Sequence, residues 1–127
     1  MFSAAILDHF QNPRNAGEMQ EPTAQVELSN PVCGDVLRLA VRVEGACVQE
    51  VRFLCRGCTA SIACASLLTE KMKGRAIGDL RGITSENITA ELGGLPPASA
   101  HAAQLAAEAL DLIVKLLAED RRSGPLW

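Results

Sequence analysis

Three stretches, far apart in the chain, carry side chains that could bind a metal or react with sulfur. They offer a cysteine and an aspartate in one turn, a second cysteine at a strand-to-helix junction, and a histidine near the start of a long helix: Cys33, Asp35, Cys58 and His101. Thiolate, carboxylate and imidazole together form a ligand set suited to zinc or iron. The spacing of these four residues matches no zinc-finger pattern, so the hypothesis of a metal site rests on the residue types.

The segment from Phe53 to Glu70 predicts a strand that runs into a Gly-Cys turn and then into a helix rich in Ala, Ile and Leu. Cys58 lies at the helix N-terminus, where unpaired N–H groups and the helix dipole stabilise a thiolate. A thiolate is the form of cysteine that binds metal or attacks sulfur. The alternative is that Cys58 is a small core residue at a tight turn.

Two further cysteines lie close to Cys58. Cys55 and Cys58 form a Cys-x-x-Cys, a spacing that can chelate a metal or form a redox disulfide. Strand alternation instead places Cys55 on the same face as Val51 and Phe53, which we interpret as the core face. Cys64 follows Cys58 by six residues in the helix and points to a different side, so we predict that it is also a core residue.

Composition narrows the class of protein. A chain of 127 residues, 48% of them hydrophobic, predicts one domain over residues 1–127. A net charge of −3 and 3% aromatic residues argue against nucleic acid as a partner. No apolar run reaches the roughly 18 residues that span a membrane, and the N-terminus lacks a signal-peptide pattern. Five cysteines without a disulfide framework favour a reducing, cytoplasmic location.

Alternating apolar residues predict strands at residues 24–29, 36–43 and 48–55, joined by short turns into an antiparallel meander with one buried face. Helical signals predict a short helix capped by Ser3, one or two short helices within residues 75–94 and a long helix over residues 98–118. The fold class is therefore α+β, a small three-stranded antiparallel sheet packed by helices on one face with a long C-terminal helix. His9 is predicted to be structural. Residues 121–127 form a polar tail predicted to fray, from which Trp127 could dock onto the body.

Four ordered motifs in this chain resemble the NifU/IscU-type family of iron–sulfur cluster assembly scaffolds. They are the segment ILDHFQNPRN at residues 6–15, the loop PVCGD at residues 31–35, the Gly57-Cys58 turn with its small-residue helix, and Leu95-Pro96-Pro97 followed by His101. The resemblance runs from about Phe2 to Ala118, which is nearly the whole chain. It implies an α+β fold, the same fold class that the alternation of apolar residues predicts.

The resemblance implies a scaffold rather than an enzyme. In that family a cysteine desulfurase delivers persulfide sulfur to a scaffold cysteine, iron joins it, and a [2Fe-2S] cluster then passes to acceptor apo-proteins. The cluster site lies at one end of the domain, is built from three cysteines and an aspartate, and can also hold zinc. Carried over onto this chain, the site residues are Cys33, Asp35 and Cys58, with His101 beside them.

The chain departs from the family at one ligand. Ala102 stands where the third family cysteine directly follows the histidine, and alanine donates no metal bond. Either His101 becomes the fourth ligand, or another cysteine such as Cys55 compensates, or the site no longer builds clusters. The family lysine after the Leu-Pro-Pro segment is replaced as well, by Pro97-Ala98-Ser99, which puts the family's chaperone contact in doubt.

These observations favour a cluster scaffold that holds its cluster weakly. Two alternatives stay open. One is a zinc-binding sulfur acceptor or regulatory relative that has lost cluster assembly, and the other is a thiol redox module that uses Cys55 and Cys58. Metal content and the visible spectrum after anaerobic reconstitution distinguish the three.

Overall fold

The computed structural model describes residues 2–31 and 34–123, leaving out the side chains of residues 120–123. Its elements, in chain order, are α1 (Ala4–Gln11), β1 (Ala24–Ser29), β2 (Val36–Glu44), β3 (Cys47–Arg56), α2 (Thr59–Met72), a 3₁₀ helix (Ile77–Gly82), α3 (Ser85–Glu91), a second 3₁₀ helix (Pro97–Ser99) and α4 (Ala100–Ser123). The predicted strands are confirmed, with their ends correct to within one residue. The predicted weak stretch contains a 3₁₀ helix and α3.

The sheet has the order β1-β2-β3 with both pairs antiparallel, as the meander predicts. Leu39 lies opposite Val26 on one neighbour and opposite Phe53 on the other, so three apolar side chains form one row across the sheet. Alternate side chains such as Arg38 point away from the core and form ion pairs with glutamates. The α+β fold class is confirmed, because α2 packs on β3 while α4 packs on β1 and β2.

Helix α2 lies at the centre of the core, in contact with α1, β3 and α4. Ten of its 14 residues are buried, and many of them are Ala or Ser, whose small side chains allow neighbouring elements to approach closely. Cys64 is fully buried among them, in agreement with its predicted core position. Only Gly57 and Cys58 separate the end of β3 from α2, so the helix N-terminus stays at the edge of the sheet.

Helix α4 differs from its prediction at both ends. A 3₁₀ helix, Pro97–Ser99, leads into α4, and there the Ser99 N–H donates to the Pro96 carbonyl at 2.8 Å. Proline suits a helix start because it has no N–H to leave unpaired, and a 3₁₀ turn is common there. The helix then continues to Ser123, beyond the predicted end at Ala118. Trp127, with its predicted docking, lies outside the described residues.

No helix among the described residues combines the length and the apolar character needed to cross a bilayer.

Helix α1 is anchored at its start and in its last turn. Ser3 caps it by accepting the Ile6 N–H at 3.1 Å, and the Ser3 hydroxyl donates to the Leu92 carbonyl after α3. His9 is 8% exposed, and its Nδ1 lies 2.8 Å from the Ser66 hydroxyl on α2. These contacts agree with a structural role for His9.

We expect His9 to make stability depend on pH. Burial lowers the pKa of His9 below its ordinary value, and Arg14 lowers the pKa further, against the opposite effect of Glu70 and Asp8. The unfolded chain therefore binds this proton more readily, so the contribution of His9 is complete above about pH 6.5 and is lost as pH falls toward the lowered pKa. Urea midpoints between about pH 7.5 and 5.5 should fall more steeply for wild type than for His9→Gln. Equal slopes would contradict the expectation.

Candidate metal centre

Three predicted site residues meet at one end of the domain. Ligand atoms of Asp35, Cys58 and His101 all lie within 4.8 Å of one another. They come from separate elements, namely the turn before β2, the N-cap of α2 and the second residue of α4. The fourth predicted site residue, Cys33, lies outside the described residues.

The register of the sheet explains why Asp35 and Cys58 are neighbours. β2 begins at Val36 and β3 ends at Arg56, and these two residues lie directly opposite each other. The residue before β2 and the residues after β3 therefore occupy the same end of the sheet. Asp35 is one step from that pair and Cys58 is two steps from it, so the hydrogen-bonded strands set their separation.

The turn that carries Asp35 is closed by backbone hydrogen bonds. The Asn30 N–H donates to the Asp35 carbonyl at 2.8 Å, and the Gly34 N–H donates to the Asn30 carbonyl at 2.7 Å. Gly34 has φ +77°, a left-handed conformation in which a residue without Cβ avoids strain. The turn delivers a carboxylate that is only 4% exposed, pointing at the start of α2.

Gly57 leaves the space that this carboxylate occupies. A Cβ at position 57 would lie 2.8 Å from both Cγ and Oδ1 of Asp35, which is closer than such atoms approach in proteins. The glycine of the Gly-Cys turn therefore leaves room for the Asp35 carboxylate close to the backbone beside Cys58. Cys58 itself is exposed and extended, with φ −80° and ψ 171°, and it precedes the first turn of α2.

Ser61 is a polar residue of this site that sequence reasoning missed. Its hydroxyl donates to Asp35 Oδ2 and lies 3.3 Å from Cys58 Sγ, whereas Cys58 Sγ is 4.0 Å from Asp35 Oδ2. Its position three residues after Cys58, the N-cap of α2, could have indicated that it belongs to the site, because residues three apart lie on the same side of a helix.

His101 completes the cluster from α4. Its Nε2 lies 3.4 Å from Asp35 Oδ2, within the range of an ion pair if the ring is protonated. The same nitrogen is buried and makes no hydrogen bond within the described part of the chain. A buried polar atom without a partner is costly, and at functional sites it often marks a ligand position. An imidazole nitrogen beside a thiol and a carboxylate fits a site for zinc or iron.

Cys55 lies outside this cluster of ligand atoms. It is half-buried and packs against the core, in line with the strand alternation. Burial raises the pKa of the Cys55 thiol to about 12, and the nearby Asp35 and Cys58 contribute to the same shift. Burial likewise raises the pKa of Cys64 to about 12. Both thiols are therefore held in the neutral form, which is a poor metal ligand and a poor nucleophile.

Ala102 is 1% exposed and belongs to the hydrophobic core beneath α4. The residue next to His101 therefore supplies packing and no ligand atom.

Comparison with known proteins identifies the class to which this fold and site belong. Residues 1–121 match the family of the NifU-like N terminal domain. The chain belongs to this family, and the resemblance inferred from its four motifs is confirmed.

Individual relatives agree with this assignment. The chain is 39% identical over 110 residues to the iron-sulfur cluster assembly scaffold protein IscU 1 of Archaeoglobus fulgidus, covering 87% of this chain and 72% of that protein. It is 37% identical over 118 residues to the scaffold protein IscU of Azotobacter vinelandii, covering 90% and 91% of the two chains. The crystal structure of a nitrogen-fixing NifU-like protein (N-terminal) from Brucella abortus superimposes with a TM-score of 0.76 at 17% identity, covering 92% and 94%, and supports the fold.

We expect the cysteines to differ sharply in reactivity. Cys47 and Cys58 are exposed, so iodoacetamide at about pH 8 should alkylate them. Cys55 and Cys64, whose pKa values are raised to about 12, should stay unmodified in the folded protein. Peptide mass spectrometry over a time course measures each site, and labelling of all four in denaturant is the control. Labelling of Cys55 as fast as that of Cys58 would contradict the core assignment.

Proposed function

We propose that this chain is an iron–sulfur cluster assembly scaffold, acting as a single domain over residues 1–127. It receives sulfur and iron at Cys33, Asp35, Cys58 and His101 and passes a [2Fe-2S] cluster to acceptor apo-proteins. The names of its relatives support the class of function. The observation that carries the proposal is the convergence of Asp35, Cys58 and His101 within 4.8 Å at one end of the domain.

Cys58 is the proposed acceptor of sulfur. Its exposure allows a cysteine desulfurase to reach it, and it lies at the N-cap of α2, beside Asp35 and His101. The Cys58 thiolate attacks the terminal sulfur of the donor persulfide, a new S–S bond forms on Cys58, and the donor cysteine leaves as a thiolate. The scaffold keeps this sulfur for assembly with iron, and an external electron donor, such as a thiol or an electron-transfer protein, supplies the two electrons that reduce each persulfide sulfur to the sulfide of the cluster.

The proposed ligand set implies weak retention of the cluster. Ala102 removes one thiolate, leaving an imidazole and a carboxylate to complete the ligands. Imidazole can replace thiolate on iron, as in Rieske centres, so binding is still feasible. A carboxylate is a harder ligand than a thiolate and suits iron–sulfur clusters less well. A scaffold benefits from this combination, because its cluster is cargo and must leave.

A zinc-binding sulfur acceptor is the second candidate function. It is favoured by the three ligand atoms within 4.8 Å, because one sulfur, one nitrogen and one oxygen can hold tetrahedral zinc with a fourth position open. The thiol redox module is disfavoured, because the pKa of Cys55 is raised to about 12 and a disulfide with Cys58 would have to form through that buried thiol.

Replacing single ligands tests the proposed site. After anaerobic reconstitution with iron and sulfide, we expect Cys58→Ser to lose the cluster spectrum, and Asp35→Ala and His101→Ala to bind less iron. Cys47→Ser is the matched control, because Cys47 is also an exposed cysteine and lies at the opposite end of β3. Iron, sulfide and zinc content with the visible spectrum are the measurements. A full cluster in Cys58→Ser would contradict the proposed site, and stable zinc with no cluster in wild type would favour the second function.

Restoring the missing thiolate tests weak retention. We expect Ala102→Cys to slow the transfer of the cluster to a chelator, because a thiolate holds iron better than the ligands it would join. Ala102 is buried, so the added sulfur could cost about 1–3 kcal/mol of stability, which urea unfolding measures.

Ala109→Cys is the matched control, since it places the same side chain at another fully buried position of α4, about two turns away. Equal retention in wild type and Ala102→Cys would refute weak retention. If Cys55→Ser alone abolished binding, Cys55 would be the third thiolate ligand and its assignment to the core would be wrong.

A further inference from the structure

We infer that Ser61 is the positioning residue of the metal centre, and that the affinity of the site for a metal depends on its hydroxyl group. The inference rests on the proposed function in one respect, namely that Asp35 and Cys58 act as ligands. Ser61 is itself 4% exposed, lies in the first turn of α2 and touches both proposed ligands. No ligand role is assigned to it, because its hydroxyl is already engaged with protein atoms.

The hydrogen-bond directions around Ser61 follow from the groups involved. A hydroxyl has one hydrogen to donate, and an ionised carboxylate can only accept. The Ser61 hydrogen is therefore directed to Asp35 Oδ2, while the Ser61 oxygen lies 3.3 Å from Cys58 Sγ. Ser61 thus links the carboxylate and the thiol, which are themselves 4.0 Å apart.

Ser61 and Gly57 hold the Asp35 carboxylate from two sides. Oδ1 lies against the backbone at Gly57, where a Cβ would be 2.8 Å away, and Oδ2 receives the Ser61 hydrogen bond. Rotation of the carboxyl group is therefore restricted in both directions. A carboxylate oxygen offers two lone pairs, so the Ser61 bond leaves Oδ2 one lone pair for a metal. Hydrogen bonds of this kind to ligating groups fix their orientation.

Without the Ser61 hydroxyl, the proposed ligand side chains can adopt a different arrangement. His101 Nε2 is 3.4 Å from Asp35 Oδ2 and has no other partner within the described chain. A carboxylate released from Ser61 can turn to form a direct hydrogen bond with this imidazole. That bond would engage two of the three ligand groups with each other, and a metal would have to break it before binding.

The test is a titration of the metal-free full chain with Co²⁺, in competition with a chromophoric chelator. We expect Ser61→Ala to lower Co²⁺ affinity by about 10- to 100-fold, the usual effect of removing a hydrogen-bond partner of a metal ligand. The visible spectrum of bound Co²⁺ should also change, because it reports the number and type of ligands. Ser61→Thr keeps the hydroxyl and should restore most of the affinity and the wild-type spectrum.

Ser66→Ala is the matched control. Ser66 is a fully buried serine of the same helix, and its hydroxyl is bonded to His9 and to the Arg14 N–H, away from the proposed ligands. Its replacement should lower the urea midpoint and leave Co²⁺ affinity unchanged. Urea unfolding of every metal-free variant separates loss of fold from loss of affinity.

The outcomes distinguish this inference from the proposed function. If Ser61→Ala binds Co²⁺ as tightly as wild type, or more tightly, Ser61 is not a positioning residue, whether or not the wild-type chain assembles clusters. If Ser61→Ala weakens Co²⁺ binding and Ser61→Thr restores it, while wild type never assembles a cluster, the inference stands and the scaffold function fails. If Ser61→Ala and Ser66→Ala lower affinity equally, the effect is general destabilisation and the inference is overturned.

Discussion

The antiparallel pairing of β2 with β3 is the constraint on which the site depends. Val36 and Arg56 face each other at one end of the pair, so the chain enters β2 from Asp35 and leaves β3 through Gly57 and Cys58 at the same place. If either strand slipped by one residue in this register, its buried side chains would turn to solvent. The apolar residues of the sheet therefore set the positions of the carboxylate and the thiol, whose own contact, between Cys58 Sγ and Asp35 Oδ2, is a long one at 4.0 Å.

Packing around α2 brings the third proposed ligand group, the His101 imidazole, to the site. The many small residues of α2 let it lie close to β3 on one side and to α4 on another, which brings the start of α4 to the same end of the sheet. The connection from the Leu-Pro-Pro segment enters α4 through a tight 3₁₀ turn, so His101 lies one residue into the helix. Core residues remote from the site thus determine where the imidazole points.

The site contains buried polar groups, which are unfavourable in a part of a domain that has only a structural role. The Asp35 carboxylate is almost fully buried, and His101 Nε2 is buried without a hydrogen bond among the described residues. Both arrangements cost stability, and such exceptions concentrate at functional sites. His9 is the contrasting case, because its buried ring is bonded to Ser66 and serves to dock α1 on α2. In the proposed scaffold, the number of thiolate ligands determines how long the iron–sulfur cluster is retained.

The sequence by itself determined the elements and the residue types. The alternation of Leu37, Leu39 and Val41 predicts β2 because strand side chains alternate between faces. The same alternation places Cys55 against the core, and helix geometry places Cys64 within it. The motifs around Asp35, Cys58 and His101 indicated the family. The predicted helix start at residue 98 was nearly right, although local signals did not distinguish a 3₁₀ turn from an α-helical one.

Only the tertiary structure decided how these residues meet. Asp35 and Cys58 are 23 residues apart in the chain, and their contact depends on strand register and on a glycine whose missing Cβ leaves room for a carboxylate. The raised pKa of the Cys55 thiol depends on burial by distant elements, and so does the His101 Nε2, which makes no hydrogen bond to any described residue. The place of Ser61 in the site also follows only from the tertiary structure. Its hydrogen-bond partner Asp35 comes from a different element, and periodicity within one element carries no information about such a contact.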